Sequence, residues 1–178
     1  IIVKQLLGFA KEHKLEFSAN KLDDINIDTI RLVEFKMKKE NVYLRLDLNC
    51  GTHEYLIDYH HMQQVILNTV INAIQAMPDG GILSIRSVDL EKNIMLSISD
   101  TGIGITKENL SKIFDPFFTT KDVGVGSGLG LSVSYGIIEK LGGKIDVLSE
   151  VNKGTTFKIT IPKREVEKDK ESYIRERI

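Results

Sequence analysis

Cysteine is almost missing from this chain: Cys50 is the only one in 178 residues. A single thiol cannot build an internal disulfide framework, so a disulfide-stapled fold is excluded and a reducing compartment fits. Cys50 itself reads as a small packed residue at a strand end. Excess charge of either sign is lacking as well. With 24 Lys+Arg against 25 Asp+Glu the net charge is −1, without the basic surplus that sequence-independent nucleic-acid binding needs. No apolar run reaches the roughly 18 residues that mark a membrane-spanning helix, and no signal peptide is recognisable. Internal repeats are absent. The chain opens at Ile1 without a methionine, and the expectation is a piece of a longer protein whose other parts lie outside it.

What is present suits one soluble domain. The hydrophobic fraction is 42% and the charged fraction 28%, ordinary values for a chain long enough to bury a core. Residues 1–12 carry apolar side chains at helical spacing and read as the last turns of a longer helix, followed by a polar connector through Asp24. Residues 27–40 predict an amphipathic helix with Ile27, Ile30, Val33 and Met37 on one side and Asp28 near its positive end. Alternation of Val42, Leu44, Leu46 and Leu48 with polar neighbours predicts a half-buried strand, and 53–57 a short second one. A long helix spans 59–77, stopped by Pro78 and Asp79-Gly80-Gly81. Strands follow at 82–88 and 93–99, a helix at 130–141 ending in Gly142-Gly143, and two more strands around Ile145–Val147 and Phe157–Ile161. Residues 163–178 are charged and read as a solvated tail or a marginal helix. Strands in hairpin-like pairs among helices predict a two-layer α/β (α+β) sandwich, its sheet mixed and mostly antiparallel with helices on one face.

The helix 59–77 holds two residues that serve a helix poorly. Met62, Val65, Ile66, Thr69, Val70, Ala73, Ile74 and Met77 form its apolar stripe, and Asn68 and Asn72 sit about 40° apart at the stripe's edge. They are either amides satisfied by neighbouring loops or ligands for something bound, since an amide oxygen suits a hard cation. Next, Ile94, Leu96, Ile98 and Asp100 share one face of a strand, so a carboxylate ends an inward apolar row and needs a partner there. Gly102 and Gly104 follow it and permit a tight turn; an Asx-type turn is the plainer account.

Phe114, Phe117 and Phe118 crowd around Asp115-Pro116 in the segment IFDPFFTTK, exposing more aromatic surface than a plain loop does. Part of it anchors the loop as a plug, and Lys121 is the nearest cation for a phosphate chain. GVGSGLGL, Gly124 to Leu131, then runs straight into a helix. Its backbone N–H groups and the positive helix end suit phosphate. The spacing is neither a Walker-type loop nor a protein-kinase glycine loop, and no strand feeds it as a dinucleotide fold requires.

In this order, NTVINA, DTGIGI, FDPFFTTK and GVGSGLGL resemble the N, G1, F and G2 boxes of the sensor histidine kinase ATP-binding domain, within the wider ATPase superfamily of gyrase, Hsp90 and MutL. The resemblance covers residues 25–162. It implies a Bergerat-type fold with a mobile ATP lid, ATP and Mg²⁺ as ligands, Mg²⁺ on Asn72, and catalytic roles for Asn68, Asn72 and Lys121. Asp100 would accept from the adenine amine. Gly102, Gly104, Phe114, Thr120, Gly126, Gly128, Leu129, Gly130 and Thr155 would complete the nucleotide site, with Thr155 acting near Asp100 and adenine. Related ATPases carry a water-activating glutamate at position 68; Asn68 suits transfer to a histidine instead. Many family members have a lysine or arginine where this chain has Gln75.

The implied domains are 1–24, the trailing phosphoacceptor helix and connector; 25–163, the catalytic domain; and 164–178, the tail. None of His13, His53, His60 and His61 stands in the helical, acidic context of a phosphoacceptor, and His60-His61 lacks a metal-ligand cluster. The implied partners are the histidine-bearing dimerisation domain of the same protein, homodimeric when complete, and a response regulator receiver domain. No nucleic acid and no membrane contact by this fragment are implied, and the location is cytoplasmic. A nucleotide-dependent docking module without transferase activity, or another ATPase of the superfamily, is the alternative.

Overall fold

The computed structural model describes residues 14–51, 53–121 and 126–164. The helix expected over 1–12, part of the glycine segment and the tail beyond Arg164 fall outside the described residues. In chain order the elements are β1 (Ser18–Asn20), α1 (Leu22–Lys39), β2 (Val42–Asn49), β3 (Tyr55–Ile57), α2 (Tyr59–Gln75), β4 (Gly81–Asp89), β5 (Asn93–Asp100), α3 (Lys107–Leu110), α4 (Gly130–Lys140), β6 (Lys144–Glu150) and β7 (Gly154–Pro162).

Five strands form one sheet in the order β2-β4-β5-β7-β6, while β1 and β3 pair separately. Only β2 and β4 run parallel; the other pairings in the five-stranded sheet are antiparallel. Helix α2 lies over β4 and β5, with α1 beside it over β2 and α4 on its other side over β6. This is the expected mixed sheet with helices on one face. The alternation that predicted each strand also decides its inner face. Ile94, Leu96 and Ile98 are each 1% exposed and meet Ile161, Ile159 and Phe157 across the ladder. Burying three such side chains contributes roughly 5–9 kcal/mol. That is enough to hold the row in register up to Asp100, although burying a carboxylate costs several kcal/mol.

Three expectations are corrected. Helix α1 starts at Leu22, inside the stretch expected to be a connector, and β1 precedes it. Asp23, within the expected polar connector, turns inward, where Ser87 Oγ donates to Oδ1 (2.6 Å) and Gly51 N–H to Oδ2 (2.9 Å). Asp28 is therefore not at the helix start; it lies in the second turn and accepts from the Tyr59 hydroxyl at 3.0 Å. Finally, β2 is an edge strand, so Leu46 on its inner row remains 45% exposed.

Candidate functional site

The site begins where β5 ends. Asp100 is 8% exposed, and its Oδ1 accepts the Gly102 N–H (2.8 Å) and the Thr155 N–H (3.3 Å). Burial pushes this carboxyl above the usual aspartate range, against the opposite pull of those two N–H groups. No hydrogen bond from the described residues reaches Oδ2, and no cation among them pairs with the group. Oδ2 is not a buried orphan and is open to accept from a further donor. The Asx-type closure through Gly102 is thus real, but it uses only one of the two oxygens. The Thr155 hydroxyl turns away to Ser149 (2.9 Å), so Thr155 serves Asp100 through its backbone.

Glycine is required around Asp100 because backbones touch. A Cβ on Gly154 would lie 1.9 Å from the Asp100 carbonyl oxygen, and one on Gly102 would lie 2.3 Å from that of Ala76. Ile103 N–H donates to the same Ala76 carbonyl at 2.9 Å, which ties the loop after β5 to the end of α2. Gly104 has φ +69° and presses on the Glu150 carbonyl. Ser149 completes this corner by accepting from Ile105 N–H (2.8 Å). Sequence reading missed Ser149, since a serine facing inward from an edge strand carries no local signal.

Along α2 both asparagines are engaged. Asn68 Nδ2 donates to the Gly130 carbonyl (3.0 Å) and Ser134 Oγ (3.2 Å) at the start of α4. Asn72 Oδ1 accepts from Lys121 Nζ at 3.0 Å, and Gln75 Oε1 accepts from the same ammonium. Burial lowers the pKa of Lys121, and its two acceptors are neutral. Ser134 and Gln75 were not anticipated as partners. The Asn72 oxygen already faces a cation, so the donor chemistry fits a hard divalent ion such as Mg²⁺ at this place.

The aromatic segment sorts its three phenylalanines rather than exposing them all. Phe114 is half-buried and packs on Tyr135 of α4, ring centroids 5.0 Å apart. Phe118 is half-buried too, whereas Phe117 is 66% exposed with φ +66°. Phe117 N–H donates to the Gly128 carbonyl (3.0 Å). A Cβ on Gly128 would meet the Phe117 carbonyl carbon at 2.4 Å, and one on Gly126 would meet Thr119 Oγ1 at 2.9 Å. The two boxes are therefore pinned to each other. Thr120 is exposed, Leu129 is buried beneath the segment, and Gly130 opens α4 beside Asn68. Of the predicted residues, Asp100, Gly102, Gly104 and Thr155 form one cluster. Asn72 and Lys121 form a second, and Asn68 joins Gly130.

A family profile described as "Histidine kinase-, DNA gyrase B-, and HSP90-like ATPase" matches residues 57–165. Sporulation kinase E of Bacillus subtilis (strain 168) is 38% identical over 166 residues, covering 92% of this chain and 22% of that protein. Sensor kinase CckA of Brucella abortus (strain 2308) is 37% identical over 177 residues, covering 91% and 19% respectively. The chain thus spans about a fifth of the length of these curated relatives. The solved structure of histidine kinase ThkA in complex with response regulator protein TrrA superposes with a TM-score of 0.77 at 34% identity, covering 91% of this chain and 46% of that one.

Proposed function

This chain belongs to the histidine kinase-, DNA gyrase B- and HSP90-like ATPase family, and from that membership we propose that it is the catalytic ATP-binding domain of a sensor histidine kinase. It binds ATP and donates the γ-phosphoryl group to a histidine on a separate dimerisation domain of the same protein. A response regulator aspartate receives it next; the likeness to a kinase solved with its response regulator supports that step.

One observation carries the nucleotide assignment: Asp100, buried at the inner end of β5, with Oδ1 engaged by two backbone N–H groups and Oδ2 open to a further donor. The adenine exocyclic amine supplies such a donor. Asn72 Oδ1 would hold Mg²⁺, which when bound neutralises phosphate oxygens. Asn68 orients the α4 N-terminus, whose N–H groups suit the phosphates, and Lys121 adds positive charge beside Asn72 and Gln75. With asparagine rather than glutamate at 68, α2 offers no carboxylate base for water there, which favours transfer over hydrolysis. Catalysis rests on positioning and charge stabilisation. Among the described histidines, His53 lies on the approach to β3 and His60 and His61 in the first turn of α2, so none belongs to a phosphoacceptor helix pair. We therefore keep the acceptor on another domain, and the catalytic unit on the cytoplasmic side where ATP is supplied.

The test is calorimetric titration with a non-hydrolysable ATP analogue, with and without Mg²⁺, and with GTP as control. Wild type is expected to bind the adenine nucleotide selectively and more tightly with Mg²⁺. Asp100→Asn removes a charged acceptor and should cost about 1.5–3 kcal/mol of affinity while circular dichroism stays unchanged. Equal affinity of the two proteins would sink the assignment.

A further inference from the structure

The cation offered to the phosphates is steered by a residue to which the reading above gives no role. Helix α2 contains no lysine or arginine: its sequence is YHHMQQVILNTVINAIQ. Its phosphate-facing edge therefore supplies no positive charge of its own. The ammonium found there comes from Lys121, 46 residues beyond Gln75 and 49 beyond Asn72, and both amide oxygens accept from it. Gln75 follows Asn72 by three positions, about 60° round the helix, so the two oxygens make a fork on one edge. The Lys121 stem also packs against Gly126, where an added Cβ would meet Cδ at 3.2 Å, linking the ammonium's position to the glycine segment.

We propose that Gln75 is a positioning residue for phosphoryl transfer, whose side-chain oxygen holds the Lys121 ammonium where the triphosphate of ATP lies once Asn72 Oδ1 is taken up by Mg²⁺. This rests on the nucleotide reading above. The neutrality of the fork is what makes it useful. A glutamate at 75 would pair with the ammonium and cancel its charge, and a lysine would repel it. Glutamine orients the cation and leaves its full charge for an anion. Among the described residues Lys121 makes no ion pair. Its two amide acceptors are neutral, so its charge stays unmatched until a polyanion arrives.

The experiment compares affinities of the 178-residue chain for a non-hydrolysable ATP analogue, ADP and adenosine at fixed Mg²⁺. The proteins are wild type, Gln75→Leu, the isosteric Gln75→Glu, Gln75→Lys, Lys121→Gln, and the exchange Gln75→Lys with Lys121→Gln. Gln75→Leu and Gln75→Glu should each lower the preference for the ATP analogue over ADP about tenfold, the scale of one hydrogen bond to a charged group. Adenosine affinity and melting temperature should hold. The exchange, which restores an ammonium–amide pair across the same gap, should recover most of the preference, whereas either half of it alone should not. If Gln75→Leu and Gln75→Glu keep the wild-type preference while Lys121→Gln loses it, Lys121 acts unaided; the inference falls and the nucleotide reading stands. An unchanged preference in Lys121→Gln also overturns the inference. Wild-type protein that binds no adenosine would instead overturn the nucleotide reading beneath it.

Discussion

A carboxylate raised by burial behaves oppositely to one lowered by hydrogen bonds, and this chain holds both kinds. The folded pKa of Asp100 lies above its unfolded value. Its contribution to stability is therefore fully present below the unfolded pKa and lost as pH rises through the folded one. A bound donor offsets the cost of burying the anion. The anion accepts the adenine amine more strongly than the neutral acid does. Adenosine affinity should therefore fall, as pH is lowered, at a higher pH than an ordinary aspartate would dictate, and Asp100→Asn should lack that limb. Titrations over a pH series check this; an affinity flat down to the ordinary aspartate range would remove Asp100 as acceptor. The glycines beside Asp100 were read correctly as a turn, but the clash that enforces them involves the Ala76 and Glu150 carbonyls, which no local pattern announces.

Among the elements, α2 organises the site, and its start rests on a single side chain. Asp58, 2% exposed, accepts the His61 N–H at 3.0 Å as N-cap and the Glu16 N–H at 2.7 Å from the segment before β1. Burial alone would raise its pKa, but those N–H groups and the His61 ring pull it below the usual range. Its stabilisation is thus present above the unfolded pKa and lost as pH falls through the lowered one. Asp58→Ala should cost about 1–2 kcal/mol near neutrality, with the difference from wild type closing in strong acid. Denaturant melts at several pH values measure this, and a pH-independent gap would show that packing, not the cap, is lost. The stripe of α2 was readable because eight apolar positions repeat at helical spacing. The first turn of α1 was not, since Asp23 looks solvated until Ser87, 64 residues away, closes on it.

For the whole molecule, the start and end of the described fold are fastened together. Arg164 lies over the Phe17 ring at 4.2 Å, and its carbonyl accepts the Leu56 N–H at 2.9 Å. Lys163 N–H donates to the Lys92 carbonyl (3.0 Å), and its ammonium pairs with Asp89, which also accepts from the Tyr55 hydroxyl (2.7 Å). Ending the chain at Pro162 removes a cation–π contact, the Lys163–Asp89 ion pair and backbone hydrogen bonds, worth about 2 kcal/mol together. The melting temperature should fall by roughly 4–8 °C with ATP affinity retained, as read by thermal melts beside the titration. A truncated chain that melts like the full one would show this clasp to be idle.

By itself the sequence determined whatever depends on neighbours along the chain: which strands alternate, where α2 and α4 run, that Asp100 points inward, and that four boxes stand in a nucleotide-site order. The tertiary structure decided the pairings across long separations. Asn68 meets Gly130 at 62 residues' distance, and Lys121 meets Gln75 at 46. Such contacts form only after loops close and the sheet sets the spacing between α2 and the segments after β5. Local backbone preferences are written in each short stretch of residues, whereas the partner of a buried amide or ammonium is chosen by what the finished packing brings within about 3 Å of it.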